Sequence, residues 1–178
     1  KSALMDRIIT ISEHSKNVYQ NTVYEAVNQQ TGEKAEFRTN TPIEVVHYPV
    51  KNLNTQELNI DLDYDFNFLT VAQFGPRKNM INTVNWFLQE FRDDEVGLIL
   101  KTNIANCSTT DSINTQAKLA TILSNYPGAK CKVYLLHGDL TLAQMNSLYI
   151  NPKVKAYVTH THGEGFGIPI FEAAYHGV

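Results

Sequence analysis

The stretch Phe68-Leu69-Thr70-Val71-Ala72-Gln73-Phe74-Gly75-Pro76-Arg77-Lys78-Asn79 predicts a buried strand, a glycine–proline turn and the start of a helix. The residues before the glycine are mostly apolar or β-branched and do not alternate strictly with polar ones, as expected of a strand covered on both faces. The residues after the turn bring large apolar side chains onto one helix face: Met80, Ile81, Val84, Phe87, Leu88 and Phe91. The stretch therefore predicts a strand followed by a helix that packs on it.

The same order of strand and helix repeats through the rest of the chain. Three more short apolar runs are predicted strands: Val96–Leu100, Cys131–Leu136 and Val154–Thr159. Three helical patterns accompany them: a stripe between Ile113 and Leu123, a capping box at Thr141–Gln144, and a helix that begins near Pro169. Such a repeat predicts a parallel sheet with right-handed crossovers. We therefore expect an α/β fold with a Rossmann-like, doubly wound parallel sheet.

Residues 1–52 do not follow this repeat. They contain a possible strand, a possible helix, a polar stretch with little strand character and another short apolar run, at Arg7–Ile11, Val18–Val27, Asn28–Thr41 and Ile43–Tyr48. The stretch Asn52–Asp65 is rich in Asn, Asp, Gln and Glu and predicts a linker. We expect residues 1–52 to be the end of one domain and residues 53–178 to form the Rossmann-like domain. Because a strand should follow the helix that ends near Gly177, we expect that domain to be incomplete at its C-terminus.

The composition is that of an ordinary globular protein, with 43% hydrophobic and 19% charged residues among 178. The net charge is −3 and the 15 Lys and Arg residues are scattered, so we expect neither nucleic-acid binding nor a basic membrane-binding helix. Two cysteines are too few for a disulfide scaffold, and no apolar run approaches the ~20 residues of a membrane span. Since the sequence also shows no signal peptide, we expect a cytoplasmic location.

The densest group of candidate functional residues is Thr159-His160-Thr161-His162-Gly163-Glu164-Gly165-Phe166-Gly167-Ile168-Pro169. It follows a predicted strand and opens a helix, and ligands of open parallel sheets bind beyond the carboxyl ends of the strands. The glycines allow close approach to backbone N–H groups, and the helix start suits a pyrophosphate. Glu164 in the loop and Glu172 about one turn into the helix could bind sugar and ribose hydroxyls. Alternatively, Glu172 is an acidic residue that the helix dipole favours without any ligand.

A second candidate site is the turn Gly75–Asn79, between the first strand of the repeat and its helix. Arg77 and Lys78 are placed there to contact a phosphate, and Asn79 is placed to cap the helix. The alternative is a charged turn that contacts only solvent.

These residues resemble the C-terminal domain of family 4 glycosyltransferases, which have the GT-B fold. The resemblance rests on four segments: Phe68–Asn79, Leu136-His137-Gly138, Gly163–Pro169 and Glu172-Ala173. Glu164 and Glu172 match the family's Glu-x7-Glu motif with the spacing unchanged. Residues 7–16 are similar to the last strand and helix of the family's N-terminal domain, and residues 43–49 to the segment leading into the interdomain crossover.

The resemblance implies a retaining glycosyltransferase that moves a sugar from a nucleotide-sugar donor to a carbohydrate, lipid or protein acceptor, without a metal or other cofactor. It implies that Lys78 binds the diphosphate and that Glu164 contacts the donor sugar, as the catalytic residues. It also implies that Glu172 holds the ribose hydroxyls and that backbone amides from Gly165 to Gly167 meet the sugar or phosphate. From their places in the sequence we add further donor-binding candidates: Arg77 in the turn, Gly163 and Phe166 in the glycine loop, and Lys101 and His137 near the base, at the ends of the second and third strands. As the donor-binding part alone, the chain is expected to be inactive.

Three positions depart from the family pattern. The family usually has Gly-Arg after its first strand, where the Arg is a second phosphate contact, whereas this chain has Ala72 and Gln73. Arg77 is the candidate to replace that contact. The Ser that commonly stands three residues before the first Glu of the motif is Thr161 here.

Other interpretations stay open. A sugar-nucleotide epimerase, a phosphorylase of the same fold and a non-catalytic nucleotide-sugar-binding module are alternatives, whereas a nicotinamide dehydrogenase would need Gly-x-Gly-x-x-Gly after the first strand. The segment Asp61-Leu62-Asp63-Tyr64-Asp65 contains two Asp-x-Asp triplets but precedes a strand, so we interpret it as a solvated acidic stretch. His160 and His162 lack an obvious third ligand, and no metal site is expected.

Overall fold

The computed structural model describes residues 4–49 and 54–178 of the chain. They belong to two compact units, Lys1–Pro49 and Val50–Val178. The predicted domain boundary at residues 52 and 53 lies outside the described residues. That the two units come from different domains stays a prediction.

Within residues 4–49, the smaller unit has one α-helix and two pairs of strands. Its elements are β1 (Ile8–Thr10), α1 (Glu13–Asn21), β2 (Tyr24–Val27), β3 (Lys34–Phe37) and β4 (Ile43–Val45). β1 and β4 pair in parallel, and β2 and β3 form an antiparallel hairpin. Helix α1 begins at the N-cap Ser12, whose side chain accepts a hydrogen bond from the N–H of Ser15. The strands expected near the two ends of this unit are present as β1 and β4.

The expectations for the middle of the smaller unit are wrong. The helix expected over Val18–Val27 ends at Asn21, and the polar stretch Asn28–Thr41 contains a strand. Local turn chemistry explains the difference. The Asn28 side chain accepts a hydrogen bond from the N–H of Gln30, and Gly32 has a φ of 73°, so the chain reverses and the flanking residues pair.

The larger unit contains a four-stranded parallel sheet flanked by helices. Its strands are β5 (Asn67–Val71), β6 (Gly97–Lys101), β7 (Lys132–Leu136) and β8 (Val154–Tyr157), in the spatial order β7-β6-β5-β8. Its helices are α2 (Met80–Glu90), α3 (Thr109–Leu123), α4 (Leu142–Tyr149) and α5 (Ile168–Tyr175). The expected α/β architecture is confirmed, and it is compatible with a Rossmann-like fold.

The sheet buries apolar side chains on both faces. Leu98 and Leu100 of β6 pack with α2 and α3, whereas Ile99 between them packs with α4 and α5. This explains why the strand sequences are continuously apolar rather than alternating. Cys131 is buried in the first of these clusters, as a small apolar residue would be. Ile81 and Ile113, expected on buried helix stripes, are instead 55% and 61% exposed.

The order of the strands creates a switch point at β5. From β5 the chain steps outward to β6 and β7 and then returns to β8 on the other side of β5. The loops that follow β5 and β8 therefore leave the same edge of the sheet side by side. Ligands of open α/β sheets bind in the crevice at such a point. None of the helices formed by the described residues has the length and apolar composition that crossing a bilayer requires.

Candidate functional site

The loops after β5 and β8 are joined by hydrogen bonds at the switch point. The backbone carbonyl of Arg77 accepts a hydrogen bond from the N–H of His162 at 2.9 Å, and the Thr161 hydroxyl lies 3.2 Å from the same oxygen. The Arg77 guanidinium donates to the carbonyl of Gly163. Arg77 therefore holds the glycine loop through both its backbone and its side chain.

Lys78 and Glu164 form an ion pair across these two loops. The ammonium of Lys78 donates to Oε1 of Glu164, and a guanidinium nitrogen of Arg77 lies 3.6 Å from Oε2. The side chains of Lys78 and Glu164 are only 16% and 22% exposed. Burial raises the pKa of Glu164, but the hydrogen bond and charge of Lys78 and the charge of Arg77 outweigh it, so the net pKa is lowered. Glu164 is therefore a carboxylate at neutral pH.

Glu172, on α5, is held by a tyrosine of α4. Its Oε2 accepts a hydrogen bond from the hydroxyl of Tyr149 at 3.0 Å. Nearby, the hydroxyl of Tyr157 lies 3.2 Å from the carbonyl oxygen of Val71. Burial raises the pKa of Tyr157 to about 12, and the negative charges of Glu164 and Glu172 both add to the rise. The charges of both carboxylates therefore oppose ionisation of the Tyr157 hydroxyl.

An open cleft of about 290 Å³ lies at the carboxyl ends of β5 and β6. Lys78 and Lys101 supply a cation each to its lining, and Pro169 brings the first turn of α5 to it. Pockets for small ligands usually measure about 300–1,000 Å³, so this cleft is at the small end of that range. Part of the Lys78 charge is balanced by Glu164, so Lys101 and the N-terminus of α5 supply the remaining attraction for an anionic ligand.

The glycine loop reaches α5 through a left-handed residue. Gly167 is the N-cap of α5 with a φ of 77°, and a Cβ there would lie 3.1 Å from Cδ1 of Ile170. A Cβ on Gly163 or Gly165 would meet open space. The ring of Phe166 packs edge-to-face on Phe171, with centroids 5.3 Å apart. Gly167 is thus required for the entry into α5, whereas the other two glycines keep the loop surface open.

Lys101 and His137 lie at the ends of their strands but have protein partners. The ammonium of Lys101 donates to the carbonyl of Gly138, and Nε2 of His137 lies 3.0 Å from Oδ2 of Asp111. The side chains of His137 and Asp111 are 9% and 6% exposed. Burial raises the pKa of Asp111, but His137 and two backbone N–H groups outweigh it and lower the net pKa. Lys101 lines the cleft, whereas His137 is engaged by Asp111.

Gln73, which stands where the family usually has Arg, and Asn79, the expected cap of α2, both have protein partners. The Gln73 side chain donates to the carbonyl of Ile104 at 2.7 Å and lines the cleft. Asn79 precedes α2, but the expectation that its side chain caps this helix is wrong. Its backbone is left-handed, with a φ of 54°, and its Oδ1 accepts a hydrogen bond from the side chain of Asn82 instead.

The remaining candidate ligands for metals are dispersed. Nδ1 of His160 lies 3.2 Å from the Thr83 hydroxyl, and its ring packs on Trp86. Asp61, Asp63 and Asp65 are exposed, as expected of a solvated acidic stretch, and Asp63 also pairs with Lys132 at 2.7 Å. Within residues 4–49 and 54–178, no group of three or more His, Cys, Asp or Glu side chains is arranged to hold a metal ion.

Sequence reasoning missed Tyr149 and Tyr157 as members of this site. Tyr149 ends the helix that the capping box at Thr141 opens, and Tyr157 lies in the predicted strand Val154–Thr159, so the sequence places each in an element and gives it no further role. The Tyr149 hydroxyl contacts Glu172 on α5, whereas the Tyr157 hydroxyl reaches the backbone of Val71 because β8 pairs with β5. Nothing in the local sequence distinguishes these tyrosines from ordinary core residues.

A scan against protein-family models finds no match to this chain, and a search of curated proteins finds no significant match. The family resemblance therefore rests on the motifs in the sequence and stays a prediction.

Proposed function

We propose that this chain is the donor-binding part of a retaining glycosyltransferase that uses a nucleotide-activated sugar. The observation that supports this most strongly is the meeting of Lys78 and Glu164, which are 86 residues apart in the chain. They meet at the switch point of the sheet, beside the cleft and the start of α5. The Glu-x7-Glu spacing between Glu164 and Glu172 adds to the case.

In this proposal the diphosphate of the donor occupies the cleft. Lys78 and Lys101 balance its charge, and the N–H groups at the start of α5 face its oxygens. Glu164 accepts hydrogen bonds from the sugar hydroxyls, and Glu172 accepts them from the ribose. Arg77 acts by holding the loop that carries Glu164, since its guanidinium donates to Gly163.

The chemistry follows from the charge that develops on the leaving group. The bond between the anomeric carbon and the β-phosphate oxygen breaks, and the acceptor oxygen bonds to that carbon on the same face. The proton of the acceptor hydroxyl passes to the departing phosphate. Lys78 stabilises the negative charge that develops on the diphosphate. Stabilisation of developing charge is usually the largest single contribution of an enzyme to the rate.

Calorimetric titration with UDP, GDP and ADP in the presence of EDTA tests the proposal. We expect at least one of them to bind weakly, and we expect Lys78→Ala to weaken that binding by about tenfold or more, because hydrogen bonds to charged groups contribute about 1.5–3 kcal/mol. Lys155→Ala is the matched control, since Lys155 is an exposed lysine on β8. The proposal fails if no nucleotide binds at millimolar concentration, or if the two variants bind equally well.

A further inference from the structure

The carboxylate of Glu172 accepts a hydrogen bond from a residue outside the sequence motif. Tyr149, at the end of α4, donates its hydroxyl to Oε2 of Glu172 at 3.0 Å. The tyrosine is 2% exposed and the two residues are 23 positions apart in the chain. A glutamate side chain has several rotatable bonds, and fixing its carboxylate before a ligand arrives removes part of the entropic cost of binding.

Packing, rather than Glu172, fixes the position of the tyrosine ring. Tyr149 belongs to the buried cluster that includes Leu69, Ile99 and Leu148. On another side its ring stacks on His176, with centroids 5.8 Å apart and planes 16° apart. The hydroxyl is thus a fixed donor. Burial and the charge of Glu172 raise the pKa of Tyr149, so the hydroxyl keeps its proton.

We propose that Tyr149 is a positioning residue that sets the preference of the site for ribonucleotides over deoxyribonucleotides. Its hydroxyl occupies Oε2 of Glu172 and leaves Oε1 to accept a hydrogen bond from a ribose hydroxyl. This inference rests on the proposed function of Glu172. A site that is built to bind a substrate hydroxyl discriminates strongly against the analogue that lacks it, because a polar group of the protein is then left unpaired.

The test compares nucleotides with and without the ribose hydroxyls. Dissociation constants of UDP, GDP and ADP, and of their 2′-deoxy and 3′-deoxy forms, are measured by calorimetry for the wild type and for Tyr149→Phe. We expect the wild type to prefer the ribonucleotide by about tenfold, the scale of one hydrogen bond to a charged group. We expect Tyr149→Phe to lose most of this preference.

Tyr134→Phe is the matched control, because the hydroxyl of Tyr134 also donates to a carboxylate, Oδ2 of Asp63, at 3.0 Å. It should keep the wild-type preference. Glu172→Gln should lose the preference by itself, and adding Tyr149→Phe to it should cause no further loss, since the tyrosine acts through the glutamate. A tyrosine with a merely structural role would leave the ratio of the two constants unchanged.

The possible results separate this inference from the proposed function. If the wild type binds a ribonucleotide and Tyr149→Phe keeps the same preference, the role of Tyr149 is wrong and the proposed function stands. If the wild type binds neither kind of nucleotide, the proposed function is wrong and this inference falls with it. If Tyr149→Phe does not fold, the NMR signal of the Tyr149 hydroxyl proton shows instead whether Tyr149 donates to Glu172. A slowly exchanging signal in the wild type that is lost in Glu172→Ala supports the contact, and its absence from the wild type overturns it.

Discussion

The ion pair between Lys78 and Glu164 should stabilise the two loops of the site against each other. Replacing Lys78 by Met and Glu164 by Gln, singly and together, measures this contribution to the free energy of unfolding. The side chains are 16% and 22% exposed. A solvent-exposed pair contributes about 0.2–1 kcal/mol, and breaking a fully buried pair costs about 3–5 kcal/mol. The pair lies between these limits, so we expect a coupling free energy of about 1–2 kcal/mol near neutral pH.

Urea unfolding followed by tryptophan fluorescence measures this coupling. The chain has a single tryptophan, Trp86, on α2 of the larger unit, so the signal reports the unfolding of the unit that carries the pair. The pair Lys132–Asp63 in the same unit is the matched control, at 2.7 Å with side chains 46% and 51% exposed. We expect the same double substitution there to give a coupling at or below about 1 kcal/mol.

The coupling should also depend on pH in a defined direction. The pKa of Glu164 in the folded protein is lower than its ordinary value of 4.5. A lowered pKa means that the unfolded chain takes up protons first as the pH falls. The stabilisation is therefore fully present above about pH 5 and is lost as the pH falls through the folded-state pKa. The reasoning is refuted if the Lys78–Glu164 coupling is no larger than that of the control pair, or if it persists unchanged at about pH 3.

Three further predictions concern the folding of the larger unit, measured by the same urea unfolding. Gly167→Ala should destabilise by about 1–2 kcal/mol, because its φ is 77° and its Cβ would crowd Ile170, whereas Gly165→Ala should change little. Equal effects would contradict this account of the loop. Leu98→Ala should cost about 2–5 kcal/mol, because the side chain is fully buried; a loss below 1 kcal/mol would be inconsistent with its place in the core. Thr141→Ala should cost about 1 kcal/mol by removing the cap of α4, and hydrogen exchange at the Gln144 amide should quicken.

The larger unit was predictable from sequence because its local and tertiary preferences agree. The four apolar runs become β5 to β8, with ends that differ by at most three residues from the predicted ones. The capping box at Thr141 is formed by both of its side chains, and Gly177, with a φ of 81°, follows the end of α5. In the strands, the apolar residues that favour the element locally are also the ones buried in the core, and the caps delimit their helices through contacts within a few residues.

The smaller unit was harder to predict because its elements have weak patterns. All residues of β2 and β3 are exposed, so no apolar alternation marks these strands. The segment before the turn contains Val23, Val27 and other residues that fit a short helix as well as a strand. Pairing across the turn at Gly32 decides between the two, and pairing is a property of the folded hairpin rather than of either segment.

The candidate site combines both situations. Three parts of the site could be predicted: the glycine loop, the carboxylates Glu164 and Glu172, and Lys78 in the turn after β5. Their spacing and their positions after strands can be read from the sequence. The contacts between them could not be predicted. The guanidinium of Arg77, for example, donates to the carbonyl of Gly163, a contact that the geometry of the loop decides; its contact with a phosphate stays a prediction.

By itself, the sequence determined the parallel α/β architecture of the larger unit and the residues that follow its strands, because burial on both faces and turn chemistry act over short distances along the chain. Only the tertiary structure decided that Lys78 pairs with Glu164 and that Tyr149 holds Glu172. These contacts join residues 86 and 23 positions apart. They depend on the order of strands in the sheet, which sets the loops after β5 and β8 side by side and brings the end of α4 against α5.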